Sequence, residues 1–290
     1  MSFAFQYVRH RTAELLVWMG IPLLGALAAG EPLSPGRFAV FVVALTAAMA
    51  HVLLVNDWGG LRRDPLEVTR YPGATEGSAL AMLRGGAVLT LLVSLLCGLY
   101  LLPLRALLAV GCLGISLSVL YSHPAVHLKE NPVASKVLHA MGGTLQFLGG
   151  YLVFSGQPVR GACLGLFFGW VLTAGHFFHE CKDAAVDDTR DVDTWATRWG
   201  SRHCARVGLS MFGFAHVYLL ILAELGVLSA TEAWLLSAPV AVHAFFAARI
   251  LREDGRLAAT LRRYHLGYRA VYASSGAAFA LVNLASWAPA

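Results

Sequence analysis

An apolar run beginning at His51 breaks into Asn56 and Asp57, and Asp64 follows seven positions after Asp57. A second apolar run breaks the same way into Glu180, Asp183 and Asp187, spaced by three and then four positions. Counted from Asp57, the same steps land on Gly60 and Asp64, so one ruler fits both places with a glycine at one mark. Positions i, i+3 and i+7 share one face of a helix. The spacing therefore predicts two helix ends, each presenting a strip of carboxylates. Such groups repel one another unless a cation compensates. Oxygen donors without interleaved Cys or His suit Mg²⁺, which keeps several waters and binds substrate phosphates. The expected metal ligands are Asn56, Asp57, Asp64, Glu180, Asp183 and Asp187, with Asp57, Asp64, Asp183 and Asp187 central to catalysis.

The elements that must position these residues are membrane helices. The 290 residues are 57% hydrophobic and 13% charged, with a mean hydropathy of +0.63, whereas a soluble domain carries about 25% charged residues. Nine apolar segments are long enough to cross a bilayer: 12–30, 38–55, 79–102, 104–121, 134–155, 159–179, 204–226, 231–250 and 267–288. The first follows Arg9 and Arg11 without a small-residue cleavage site and reads as a retained helix. If the connections alternate between the two sides, all of the 22 basic residues but Arg37, Arg105 and Arg160 fall on one side. This bias predicts a cytoplasmic N-terminus, with both acidic strips on the cytoplasmic face. The net charge of +5 belongs to this asymmetry, so nothing points to nucleic acid or to an obligatory protein partner. The five cysteines (Cys97, Cys112, Cys163, Cys181 and Cys204) show no zinc spacing or disulfide framework, and the chain reads as one domain, 1–290.

Two similar strips 123 residues apart suggest an internal duplication whose copies face each other across a cavity. An acidic, cation-holding rim above an apolar interior suits an amphiphile with a diphosphate head and an isoprenyl tail. The cation would assist departure of the diphosphate, and aromatic faces would stabilise the allylic cation left behind.

On these motifs the chain resembles the UbiA superfamily of intramembrane prenyltransferases. "NDWGGLRRD" is similar to the family's first motif at Asn56, Asp57 and Asp64, with Gly60 where the middle Asp belongs. "ECKDAAVDDTRDVDTWATRWG" is similar to the second at Asp183 and Asp187, with Glu180 for the leading Asp, and Thr194 and Gly200 fall at the closing Thr and Gly. Asp191 and Asp193 stand where the family often has Gly and Lys. "YSHPAVHLK" resembles the family's Tyr-Ser-x-Pro…Leu-Lys segment, which implies diphosphate contacts for Tyr121 and Lys129. The fold implied is all-α: nine transmembrane helices around a central lipid-accessible cavity, as two four-helix pseudo-repeats plus one helix.

Further expectations follow from chemistry. Arg62, Arg63, Arg70 and Lys182 are candidate diphosphate partners. Ionisable groups within membrane spans mark cavities or pathways, so His51, His139, Gln146, Phe147 and Phe178 are expected along the substrate tunnel, with His176 or His139 as the proton-accepting base. The glycines of "GGTLQFLGG" read as helix-packing sites, and the basic stretch 249–269 as lying along the lipid surface. Because every Lys and Arg can be assigned to a loop or helix end, a neutral aromatic or heteroaromatic acceptor is expected. The alternative is a terpene cyclase of the same family, in which the cation is captured by its own chain. An ion-coupled transporter is disfavoured, since transporters place such groups near the membrane midplane.

Overall fold

A computed structural model describes residues 3–30, 34–63, 75–126, 128–189, 192–252 and 257–285. The long helices are α1 (Phe3–Ala28), α2 (Pro35–Arg63), α3 (Glu76–Leu101), α4 (Leu104–Ser122), α5 (Pro132–Phe154) and α6 (Pro158–Thr189). After a short α7 (Trp195–Trp199) come α8 (Ser201–Glu224), α9 (Ala230–Ser237), α10 (Pro239–Arg252) and α11 (Leu257–Ala285). No strand occurs among the described residues.

Helix starts follow local chemistry. Asn131 caps α5 by accepting from the backbone N–H groups of Val133 (3.1 Å) and Ala134 (2.9 Å), with Pro132 in the first turn, where a missing N–H costs nothing. Thr194 caps α7 in a reciprocal arrangement with Thr197, and Gly200, at φ +84°, makes the α7–α8 joint in a conformation that suits only glycine.

Among the described residues, eight segments are long and apolar enough to span a membrane, α9 and α10 together forming one of them. Leu89, Leu92 and Leu96 on α3 are more than half exposed, as befits a lipid-facing surface in a multi-pass membrane protein. The ninth expected span falls within α11, which is not among these eight. It begins ten residues earlier than the sequence suggested and runs unbroken, burying Tyr264 and Tyr268. From Leu257 onward, the stretch expected along the lipid surface is thus part of a packed helix.

Tight contacts between helices explain the core. A Cβ on Gly150 would lie 1.9 Å from the Pro22 carbonyl oxygen, and one on Gly169 would lie 2.4 Å from that of Ala140. The α1–α5 and α5–α6 contacts therefore need these glycines. In the packing they permit, Phe147 is 0% exposed and stacks on Phe168 with ring centroids 4.7 Å apart, while Phe178 is 1% exposed against Tyr264 and Phe212. Both belong to buried apolar clusters of the bundle. His51 also turns inward, with Nδ1 2.9 Å from the Ala87 carbonyl on α3.

Candidate active site

The ends of four helices are joined where the acidic motifs lie. A Cβ on Gly59 would sit 2.0 Å from the Ser122 carbonyl oxygen, so this glycine lets the end of α4 meet α2. There Ser122 Oγ donates to Asn56 Oδ1 at 3.2 Å. One residue earlier on α4, the Tyr121 ring meets the His139 ring of α5 edge-on at 5.3 Å, and His139 stacks on His176 of α6 at 3.7 Å. Lys136 of α5, 7% exposed, donates to Glu180 Oε1, and its Nζ lies 2.6 Å from His176 Nδ1. The result is a continuous polar path from α2 through α4 and α5 to α6.

Hydrogen-bond chemistry assigns the two imidazoles opposite roles. His139 Nδ1 lies 2.9 Å from the Ser135 carbonyl, an obligate acceptor. It therefore carries the proton, and Nε2 keeps its lone pair. His176 Nδ1 faces the Lys136 ammonium, an obligate donor, so its proton resides on Nε2. Of the two expected bases, His176 has its Nδ1 engaged by Lys136, whereas the Nδ1 contact of His139 leaves the lone pair on its Nε2.

Two motif carboxylates are held by cations. Asp57 accepts from Tyr7 Oη (2.7 Å), from Arg11 Nε (2.9 Å) and from Arg11 Nη2. Glu180 is held by Lys136 and by the Trp195 backbone N–H at 3.1 Å. Asp183, whose side chain is 35% exposed, has His179 Nε2 and Lys182 Nζ at 3.4 Å each. Asp187 follows one turn later and is half-buried. Among the described residues, no three or more His, Cys, Asp or Glu side chains converge as a ready-made metal cage. Asp183 and Asp187 present carboxylate oxygens on one helix face, the donor chemistry of a hard hydrated cation, while the oxygens of Asp57 and Glu180 are engaged by Tyr7, Arg11, Lys136 and the Trp195 N–H.

The remaining expected residues divide as follows. Asp64 and Arg70, like Asp191, lie outside the described residues. Arg62 is exposed, Arg63 pairs with Glu130 at 2.9 Å, Lys129 is half-buried on the 3₁₀ turn Leu128–Glu130, and Lys182 is exposed. A cavity of about 620 Å³ opens at this end, lined in part by Arg63, Glu130, Asn131, Asp193 and Arg198. Gln146 is half-buried on α5. Sequence reasoning missed Tyr7, Arg11, Trp195 and above all Lys136. The signal for Lys136 was present: a lone lysine one turn before His139 on the same face of an apolar helix.

The chain belongs to the UbiA prenyltransferase family, whose model matches residues 16–267. No curated protein matches it by sequence. Among solved structures, digeranylgeranylglyceryl phosphate synthase superimposes with a TM-score of 0.73 at 12% identity, over 97% of this chain and 99% of that one. A UbiA homolog from Archaeoglobus fulgidus bound to GPP and Mg²⁺ gives 0.66 at 15% identity, over 94% and 99%. An apo UbiA homolog from Aeropyrum pernix gives 0.69 at 14% identity, over 94% and 98%. Membership assigns the chain the family's general chemistry, prenyl transfer within a membrane.

Proposed function

We propose that this protein transfers an isoprenyl group from an allylic prenyl diphosphate to a neutral aromatic or heteroaromatic acceptor, releasing diphosphate at the end of the bundle that carries the motifs. The distribution of Lys and Arg argues that this end, with the N-terminus, is cytoplasmic. The observation that carries the reading is the Tyr121–His139–His176 cluster directly beside the Lys136–Glu180 pair. It sets a proton acceptor next to the acidic rim, on three different helices.

In the step envisaged, the C1–O bond of the prenyl diphosphate breaks and its electron pair leaves with the diphosphate. A bond forms between C1 and the acceptor, whose displaced proton passes to His139 Nε2. Magnesium held at Asp183 and Asp187 would neutralise charge on the departing diphosphate. Lys129, Arg62 and Lys182 stand at the same end as further partners for that anion. The GPP and Mg²⁺ complex of the Archaeoglobus homolog supports this substrate class.

Lys136 changes the argument about the acceptor without reversing it. The premise that every cation sits in a loop or at a helix end fails, because Lys136 is buried between α5 and α6. Yet Glu180 compensates its charge, so the pair presents no net charge to an acidic acceptor.

The test is turnover of geranyl, farnesyl and geranylgeranyl diphosphates by the purified protein with Mg²⁺, with Asp183→Ala as control. Diphosphate release that requires an added aromatic acceptor, with a matching adduct by mass spectrometry, is the expected result. A cyclic hydrocarbon formed without acceptor would instead make the protein a cyclase, with His139 taking the proton from the terpene cation.

A further inference from the structure

Arg37 and Arg160 lie at the end of the bundle opposite the motifs, and they occupy matching places in the chain. Arg160 follows Arg37 by 123 positions, the offset that also separates Glu180 from Asp57. Each is the third residue of its helix, after Pro35 in α2 and Pro158 in α6. Each precedes the first acid of its motif by 20 positions. At 1.5 Å per residue that interval is about 30 Å, the thickness of the hydrocarbon core of a bilayer. A motif helix is thus a strut with an arginine at one end and a carboxylate strip at the other.

The two side chains also bind alike. Arg37 Nη2 donates to the carbonyls of Leu101 (2.8 Å) and Val153 (2.7 Å), at the C-terminal ends of α3 and α5. Arg160 Nε donates to the Val227 carbonyl at 3.0 Å, just beyond the end of α8, and its Nη2 donates to Glu232 Oε1 at 3.3 Å. The partner helices match as well: Leu101 ends α3, Glu224 ends α8, and these residues are again 123 positions apart. The last carbonyls of a helix have no partner within it and form the negative end of its dipole. A guanidinium suits them, with several donors in one rigid plane. The second leg differs between the halves. Arg37 reaches across to α5, whereas Arg160 takes Glu232, which also accepts from the Ser229 N–H and hydroxyl at the start of α9.

We propose that Arg37 and Arg160 are matched anchors that fix the axial position of α2 and α6, and with it the depth of the two carboxylate strips. Apolar contacts hold a membrane helix weakly along its axis, because lipid tails are as apolar as its neighbours. A directional bond to a carbonyl of the adjacent helix supplies the register. A slide of one residue would move a strip by about 1.5 Å, and a misplacement of about 1 Å can cost about a hundredfold in rate. Both arginines are therefore positioning residues, acting through the length of a helix. Only the kinetic arm of the test rests on the function proposed above.

The full chain in detergent is assayed for adduct formation and, separately and without substrate, for amide hydrogen exchange by mass spectrometry. Arg37→Met and Arg160→Met should each lower kcat per folded molecule by about tenfold to a hundredfold. The corresponding Lys variants, whose ammonium can donate to the same acceptors, should recover most of that loss. Exchange should rise beside the lost bonds and also at the far end of the same helix: around Asp57 for Arg37→Met and around Glu180 for Arg160→Met. Exchange that rises only beside the lost bonds, or uniformly over the chain, overturns the proposal, as does an unchanged kcat per folded molecule. Where a Met variant does not fold, Arg37→Gln or Arg160→Gln, with a shorter neutral donor, is read in the same way. A folded wild type without turnover would remove the proposed function and leave the exchange pattern to decide the anchors.

Discussion

Two groups of histidines sit inside this bundle, and they are wired in opposite ways. In the half formed by α8, α10 and α11, His243 stacks on Phe212 at 4.1 Å, and both its nitrogens are satisfied by tyrosine hydroxyls: Nδ1 by Tyr264 at 2.7 Å and Nε2 by Tyr272 at 3.1 Å. Nothing is left over for a ligand. At the motif end, His139 and His176 each use one nitrogen on the protein, Nδ1 in both cases. The first ring commits a proton and the second a lone pair, so the stacked pair keeps one acceptor and one donor in reserve. Buried histidines are alike in composition and hydropathy. What separates a structural histidine from a chemical one is the account of its two nitrogens.

The comparison can be broken most severely at His139. His139→Gln should lower adduct formation by about two to four orders of magnitude, the usual contribution of a positioned base, with the thermal midpoint in detergent little changed. A small kinetic effect, with unfolding instead, would place His139 with His243. The cation that wires His176 comes next. Lys136→Met strands Glu180 and should cost about 3–5 kcal/mol of stability, read from denaturation in detergent; pairing it with Glu180→Gln should restore most of that loss. His243→Phe leaves two tyrosine hydroxyls unsatisfied and should cost about 1–3 kcal/mol, while activity per folded molecule is retained. A large fall in that activity would show that the His243 cluster takes part in the chemistry. The smallest effect is expected at His51, whose Nε2 is buried without a partner. His51→Leu loses one hydrogen bond and relieves one orphaned nitrogen, so stability should move by less than about 1 kcal/mol and turnover should hold. Loss of turnover there would restore His51 to the substrate path.

Much of this site was legible before any coordinates. Asn56, Asp57, Glu180, Asp183 and Asp187 stand at helix ends because apolar runs end there and the steps of three and four keep carboxylates on one face. The glycines Gly143 and Gly150 do serve close packing. Lys136 was harder to see. It lies near the start of α5, within the expected span 134–155, where a basic residue at a helix end read as part of the charge bias across the membrane. Arg11 was assigned to the entry of the first span, but its side chain reaches Asp57, 46 residues away. The ring partners of Phe147 and Phe178 were not legible, because an aromatic at helical spacing looks the same whether it faces a tunnel or a core.

The sequence by itself determined the solvent, the helices and the class of chemistry. Twenty-residue apolar runs have one low-energy form in a bilayer, and carboxylates on one helix face need positive charge. It did not determine which positive charge they receive. That depends on which helix end comes within about 3 Å of which carboxylate, a matter of crossing positions set by contacts such as Gly59 on Ser122 and Gly169 on Ala140. Only the tertiary structure set Arg11 on Asp57 and Lys136 on Glu180, and gave His139 its unshared lone pair, because hydrogen bonds and ion pairs are short-range and a shift of one helical turn would have exchanged every partner.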